Sequence, residues 1–148
     1  MSAELDDLYQ EVILDHNRAP RNFRALHVGR KAEGFNPLCG DRLTVFLQID
    51  DGVIKDVAFQ GSGCAISKAS ASLMTESIKG KRVADATRML EQFQGMVTSS
   101  PADPVSGLGK LEVLAGVRQF PVRVKCATLA WHTLRAALES PDAVVSTE

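Results

Sequence analysis

Three cysteines stand far apart in the chain, and each falls at a boundary between predicted elements rather than inside an apolar stripe. Cys39 lies in the turn Pro37-Leu38-Cys39-Gly40-Asp41, just ahead of a strand-like stretch. Cys64 follows Gly61-Ser62-Gly63 and opens a helical stretch. Cys126 follows Pro121 to Lys125, which reads as extended, and opens the last predicted helix. Buried structural cysteines behave as small core hydrophobes, a role that junction positions suit poorly. A helix N-terminus offers free N–H groups and the positive end of the dipole, so a cysteine that opens a helix is expected to ionise readily. Gly40 leaves the backbone beside Cys39 open, and Asp41 puts a carboxylate two residues away. Three thiolates and a carboxylate form a tetrahedral donor set suited to Zn²⁺ or to iron–sulfur chemistry. No C-x-x-C pair is present, however, and spacing alone favours three unrelated structural thiols.

These cysteines depend on the elements around them for position. Leu5, Leu8, Tyr9, Val12 and Ile13 recur at three- and four-residue steps and predict a helix that ends before Pro20. A short strand is expected around residues 32–36. Leu43, Val45, Leu47 and Ile49 alternate with mostly polar neighbours, Asp50-Asp51-Gly52 has hairpin-turn chemistry, and Val53 to Gln60 supplies the partner strand. Helices are predicted over 65–79, around 83–93, in a short piece from Leu108, and over 127–138, with a loop at 98–107. Strands early and helices late predict an α+β fold: a small antiparallel sheet of about three strands, helices packed on one face, and the cysteine loops at one end. No internal repeat or linker divides residues 1–148, which read as a single domain with a mobile tail over 141–148.

The residues around the cysteines resemble the U-type iron–sulfur cluster assembly family, the IscU and NifU N-terminal-like proteins, and within it the SufU branch. The stretches that carry the resemblance are Asn36-Pro37-Leu38-Cys39-Gly40-Asp41, Gln60-Gly61-Ser62-Gly63-Cys64-Ala65-Ile66-Ser67, and Phe120 through Trp131. They occur in the family's order, and the likeness runs from about Leu5 to Leu138. It implies that Cys39, Asp41, Cys64 and Cys126 hold a metal or cluster. Members of the scaffold type carry a histidine immediately before the third cysteine, where Lys125 stands here. They also carry a double-proline stretch read by a chaperone pair, where this chain has Phe120-Pro121-Val122-Arg123-Val124. The segment from about Gln94 to Leu114 is similar to the extra stretch of SufU proteins. The resemblance therefore implies a zinc-dependent sulfur acceptor, a sulfurtransferase-type carrier. It would take persulfide sulfur from a PLP-dependent, SufS-like cysteine desulfurase and supply downstream iron–sulfur assembly proteins. The alternative is a scaffold that builds a [2Fe–2S] cluster on the same ligands. Cys39, on a loop, is the expected sulfur acceptor. Arg123 and Lys125 are expected to support the anionic site or to meet the partner.

Composition agrees with this and excludes other classes. Of 148 residues, 45% are hydrophobic and 24% charged, the balance of a globular chain. Seventeen basic residues against 18 acidic ones leave a net charge of −1, without the basic excess of a nucleic-acid binder. The acidic N-terminus is unlike a signal peptide, no apolar run reaches membrane-helix length, and an odd cysteine count opposes a closed disulfide framework. A cytoplasmic protein with reduced thiols is expected. His16 is expected to pack near the core and His27 to be exposed. His132 lies on the wrong side of its helix to reach a ligand sphere that contains Cys126. Trp131 is expected to be core or a partial cover of the site. The Ser- and Ala-rich stretch after Cys64 is expected to allow close helix packing. Gly61-Ser62-Gly63 lacks the lysine and spacing of a phosphate loop.

Overall fold

The computed structural model describes residues 3–147, with side chains from Gln10 onward. Helix α1 (Ala3–Arg18) leads into β1 (Arg30–Asn36), β2 (Asp41–Asp50) and β3 (Val53–Ser62). Helices α2 (Ala65–Ile78) and α3 (Val83–Thr98), a 3₁₀ segment (Gly109–Gln119), α4 (Pro121–Glu139) and β4 (Val144–Ser146) complete the chain. The side chains of the first residues of α1 lie outside the described residues, so the expected contribution of Leu5, Leu8 and Tyr9 to its apolar face does too.

The sheet order is β3-β2-β1-β4. Its antiparallel core follows from alternation: Ala32, Val45 and Phe59 stand opposite one another across three strands, as do Leu47 and Val57 across two. All five are buried, whereas Arg42 and Gln48 on the same strand face outward. The β2–β3 hairpin closes through Asp51 (φ 53°) and Gly52 (φ 74°), the two positive values that a type I′ turn requires. The core packs against α4, which lies over β1 and β2, and α2, which lies on β3. Small side chains let α2 approach both of its neighbours, as expected. Ser70 Oγ donates to the Ala127 carbonyl (2.6 Å) and accepts from Trp131 Nε1 (3.2 Å). Trp131 is core, stacked on Phe93 at 4.5 Å between centroids. His16 is buried on Ser72 Oγ at 2.7 Å, and burial pushes its pKa below the ordinary histidine value.

The α+β class stands, with two corrections to its detail. The sheet has four strands and is mixed, because Val144–Ser146 pairs in parallel with β1 through Glu33, Gly34 and Phe35. Part of the stretch expected to be a mobile tail is therefore an edge strand. It is three residues long and preceded by Pro141 and Asp142, so its sequence shows turn signals and too little alternation to register. Helix α4 begins at Pro121 instead of about Ala127. Proline is favoured in the first helical turn, where no amide hydrogen is needed, and the alternation of Arg123 with Lys125 imitates a strand. No helix among the described residues is long and apolar enough to cross a membrane.

Candidate metal centre

The β1–β2 turn, the N-terminus of α2 and the second turn of α4 meet at one end of the sheet. Asn36 and Asp41 are paired across the β1–β2 ladder, so the intervening loop of Pro37 to Gly40 is tight. The Asn36 carbonyl accepts the amides of Gly40 (2.9 Å) and Cys39 (3.3 Å). Gly40 closes the loop with φ 71°, a conformation that glycine adopts at no steric cost. Cys39 is thereby raised on a partly exposed turn, while Asp41, the first residue of β2, points into the buried face.

Asp41 is 1% exposed and its two oxygens have different partners. Oδ1 accepts the backbone N–H of Cys64 at 2.7 Å. Oδ2 faces the sulfurs and lies 3.9 Å from Cys64 Sγ. Gly63 makes this approach possible, because a Cβ there would stand 2.5 Å from Asp41 Oδ1. Cys64 is the N-cap of α2, and its sulfur accepts the Ser67 amide at 3.4 Å.

Cys126 does not open its helix; it sits one and a half turns inside α4 and is fully buried. The expectation that a helix N-terminus assists its ionisation therefore fails at this position. Burial, then the neighbouring Cys39 and Cys64 sulfurs, push its thiol pKa far up in the metal-free chain. Its Sγ is 3.2 Å from Cys39 Sγ. The donor atoms of Cys39, Asp41 and Cys126 all lie within 4.8 Å of one another, whereas the Cys64 sulfur falls outside that group and meets it at Asp41 Oδ2.

This donor set fits a divalent ion. Around a tetrahedral Zn²⁺ two thiolates stand about 3.8 Å apart, and a thiolate and a carboxylate oxygen about 3.6 Å. The distances of 3.2 Å and 3.9 Å in the chain differ from those by about half an ångström or less. Three sulfurs and one oxygen suit a borderline-soft metal, and a cation here would reverse the effect of burial on Cys126.

Arg123 lies one helical turn before Cys126 on the same face. The Cys64 sulfur, followed by those of Cys126 and Cys39, raises its pKa further, so the guanidinium faces the cluster. Lys125 is half-buried on another side of α4, and no described contact ties it to the sulfurs. The expected pair thus divides, because positions 123 and 125 share a face on a strand but not on a helix. Leu38, beside Cys39 in the loop, and Phe120 and Val122, beside Arg123 at the start of α4, are exposed apolar side chains. His132 lines a separate depression with Arg135 and Glu139, about 520 Å³ in volume. His27 is exposed.

Two residues of the centre escape the sequence reading. One is Gly63, which stands there only as part of the motif before Cys64, without a role of its own. The other is Asn36, fully buried, whose Nδ2 is 3.3 Å from Asp41 Oδ2 and 3.5 Å from Cys126 Sγ. The signal that could have found Asn36 is period two, since Ala32, Gly34 and Asn36 share the core face of β1.

Residues 8–127 match the NifU-like N-terminal domain family. The chain is 44% identical to the zinc-dependent sulfurtransferase SufU of Bacillus subtilis (strain 168), over 95% of this chain and 96% of that one. It is 38% identical to the iron–sulfur cluster assembly scaffold protein IscU of Streptococcus pyogenes serotype M1, over 93% and 86% of the two chains. A crystal structure described as a putative iron–sulfur cluster assembly scaffold protein for the SUF system, from Fervidobacterium islandicum AW-1, superposes with a TM-score of 0.82 at 34% identity. It covers 90% of this chain and 98% of its own. A match over most of the length, in a chain that brings its three cysteines and one aspartate together, makes this protein a member of the NifU-like N-terminal domain family.

Proposed function

We propose that the protein is a zinc-holding sulfur acceptor of iron–sulfur cluster assembly in the cytoplasm, working with a PLP-dependent cysteine desulfurase of the SufS type. The observation that carries this reading is the convergence of Cys39, Asp41 and Cys126, with Cys64 beside Asp41, under a partly exposed Cys39. It is supported by the 44% identity to a zinc-dependent sulfurtransferase. Cys39, Asp41, Cys64 and Cys126 would hold the ion, which keeps the thiols deprotonated at neutral pH without redox chemistry of its own.

Access and tethering together assign the roles among the sulfurs, for Cys39 and Cys64 are both partly exposed and only Cys126 is buried. Cys126 is sealed inside α4, and Cys64 is fixed as a helix cap with its sulfur on the Ser67 amide. Cys39 stands on a loop with no helix behind it and can swing at little conformational cost. Its thiolate attacks the terminal sulfur of the partner's cysteine persulfide. A sulfur–sulfur bond forms on Cys39, the bond within the partner's persulfide breaks, and the partner's cysteine leaves as a thiolate. Arg123, beside the anionic cluster, gives the desulfurase a cationic contact at the site. Leu38, Phe120 and Val122 give the partner exposed apolar contacts. The sulfur accepted on Cys39 would pass to downstream iron–sulfur assembly proteins.

The purified chain should hold about one zinc per molecule. Incubated with a desulfurase and cysteine, then trapped by alkylation and mapped by peptide mass spectrometry, it should carry persulfide on Cys39. Label on Cys64 or Cys126 with Cys39 unmodified overturns the assignment, as does a Cys39→Ser variant that accepts sulfur at the normal rate. Anaerobic reconstitution separates the scaffold alternative: a stable visible spectrum of a [2Fe–2S] cluster, with no persulfide acceptance, would replace the carrier reading. Lys125, in the place of the scaffold type's histidine, favours the carrier.

A further inference from the structure

Among the described residues, Asn36 is the one polar side chain besides Asp41 that is buried on the sheet side of the centre, and both its backbone and its side chain are engaged. Its backbone carbonyl oxygen holds the Cys39 turn through the Gly40 and Cys39 amides. Its Nδ2 reaches Asp41 Oδ2 and Cys126 Sγ at 3.3 and 3.5 Å. Its Oδ1 accepts the hydroxyl of Thr147 at 2.9 Å. Thr147 is placed there by β4, whose parallel pairing with β1 continues in the bond from the Thr147 amide to the Phe35 carbonyl at 3.1 Å. A hydroxyl can donate or accept, but an ionised carboxylate and a thiolate accept only. The amide therefore has one orientation that satisfies both sides, with nitrogen toward the ligands and oxygen toward Thr147.

We infer that Asn36 and Thr147 are positioning residues of the metal centre, and that the C-terminal strand sets the centre's affinity through them. This rests on the metal reading of the site. With Oδ1 of Asp41 held by the Cys64 amide and Oδ2 steadied by Asn36, the carboxylate offers a single oxygen toward the sulfurs. The same nitrogen donates to Cys126 Sγ, so one amide group steadies two ligands at once. Without the Thr147 hydroxyl, Asn36 Oδ1 is left buried and unpaired, and the side chain turns to recover a donor. Its nitrogen then leaves two ligands at once. Partners that orient ligands in this way contribute about 10- to 100-fold to metal affinity.

The test uses the full chain with Thr147→Val and Thr147→Ser, titrated with Co²⁺ and with Zn²⁺ against a chromogenic chelator. Thr147→Val should weaken both ions about tenfold and shift the ligand-field bands of the Co²⁺ form. Thr147→Ser should restore both, and any fall of a few degrees in the metal-free melting temperature of Thr147→Val should be recovered by serine as well. A Thr147→Val chain with wild-type affinity and wild-type bands overturns the inference and leaves the metal reading intact. So does an affinity loss that follows a lower metal-free melting temperature and is not recovered by serine. A wild-type chain that binds neither ion overturns the metal reading itself, and the inference with it.

Discussion

Strand β2 begins and ends in a turn, and the two turns are built from nearly the same residues. Gly40 (φ 71°) and Asp41 open the strand, and Asp51 and Gly52 (φ 74°) close it. Yet Asp41 is buried among sulfurs and Asp51 is exposed. The difference lies in what packs above them. The cap of α2 and the first turns of α4 cover the first turn and bring Cys64, Arg123 and Cys126. The second turn is met by backbone, with the Val83 amide on the Gly52 carbonyl at 3.0 Å and the Lys81 carbonyl on the Ile54 amide just beyond it at 2.8 Å. Local chemistry makes a turn; burial beside other donors makes it a site.

Exchanging the aspartates should give the largest contrast. Asp41→Cys adds a fourth thiolate, which a borderline-soft ion holds more firmly than a carboxylate. Zinc should resist chelators better, and persulfide acceptance should slow by about tenfold or more. Asp51→Cys should alter neither. Tighter zinc with unchanged transfer would show that exchange at position 41 takes no part in the reaction.

Glycine substitutions should sharpen the contrast further. At Gly63 a Cβ would meet Asp41 Oδ1 at 2.5 Å and its Cβ and Cγ at 3.0 Å. Gly63→Ala must push the carboxylate out of place and should weaken the metal about tenfold. Gly52→Ala has open space but a positive φ, so it should cost about 1 kcal/mol of stability with metal affinity untouched. Chelator competition and thermal melting on both variants read the two effects separately. Equal metal loss in both would mean that the contact of Gly63 with Asp41 does not matter.

The smallest effect belongs to the charges over the first turn. Arg123→Glu should weaken desulfurase binding by about fivefold at low salt, with the difference shrinking as salt rises and zinc content unchanged. Lys125→Glu, on another side of α4, should do less. Binding measured by calorimetry at two ionic strengths distinguishes them. Zinc loss in the Arg123 variant would make that residue a support of the anionic cluster rather than a partner contact.

The alternation of Leu43, Val45 and Leu47, the Asp51-Gly52 turn and the spaced apolar residues of α3 are local signals, and each became the element it announced. The motif cysteines and Asp41 were legible as possible donors from residue type, but their grouping as one set came from the family resemblance, since spacing alone favoured three unrelated thiols. Convergence was not legible. Cys39 and Cys126 are 87 residues apart in the chain and 3.2 Å apart in space. Only α4 crossing β1 and β2 brings them together. The start of α4 was hidden by Arg123 and Lys125, whose alternation suits a strand until the packing of Cys126 against the sheet decides for a helix. β4 was hidden as well, since three residues gain their stability from pairing with β1 and not from their own pattern. Residue chemistry and periodicity are properties of a short stretch, so the sequence determined the ligand types, the hairpin and most helices. Access to each sulfur, the division of roles between Arg123 and Lys125, and the brace from Thr147 to Asn36 depend on contacts between distant segments. Burial and distance arise only when those segments pack, and the tertiary structure alone decided them.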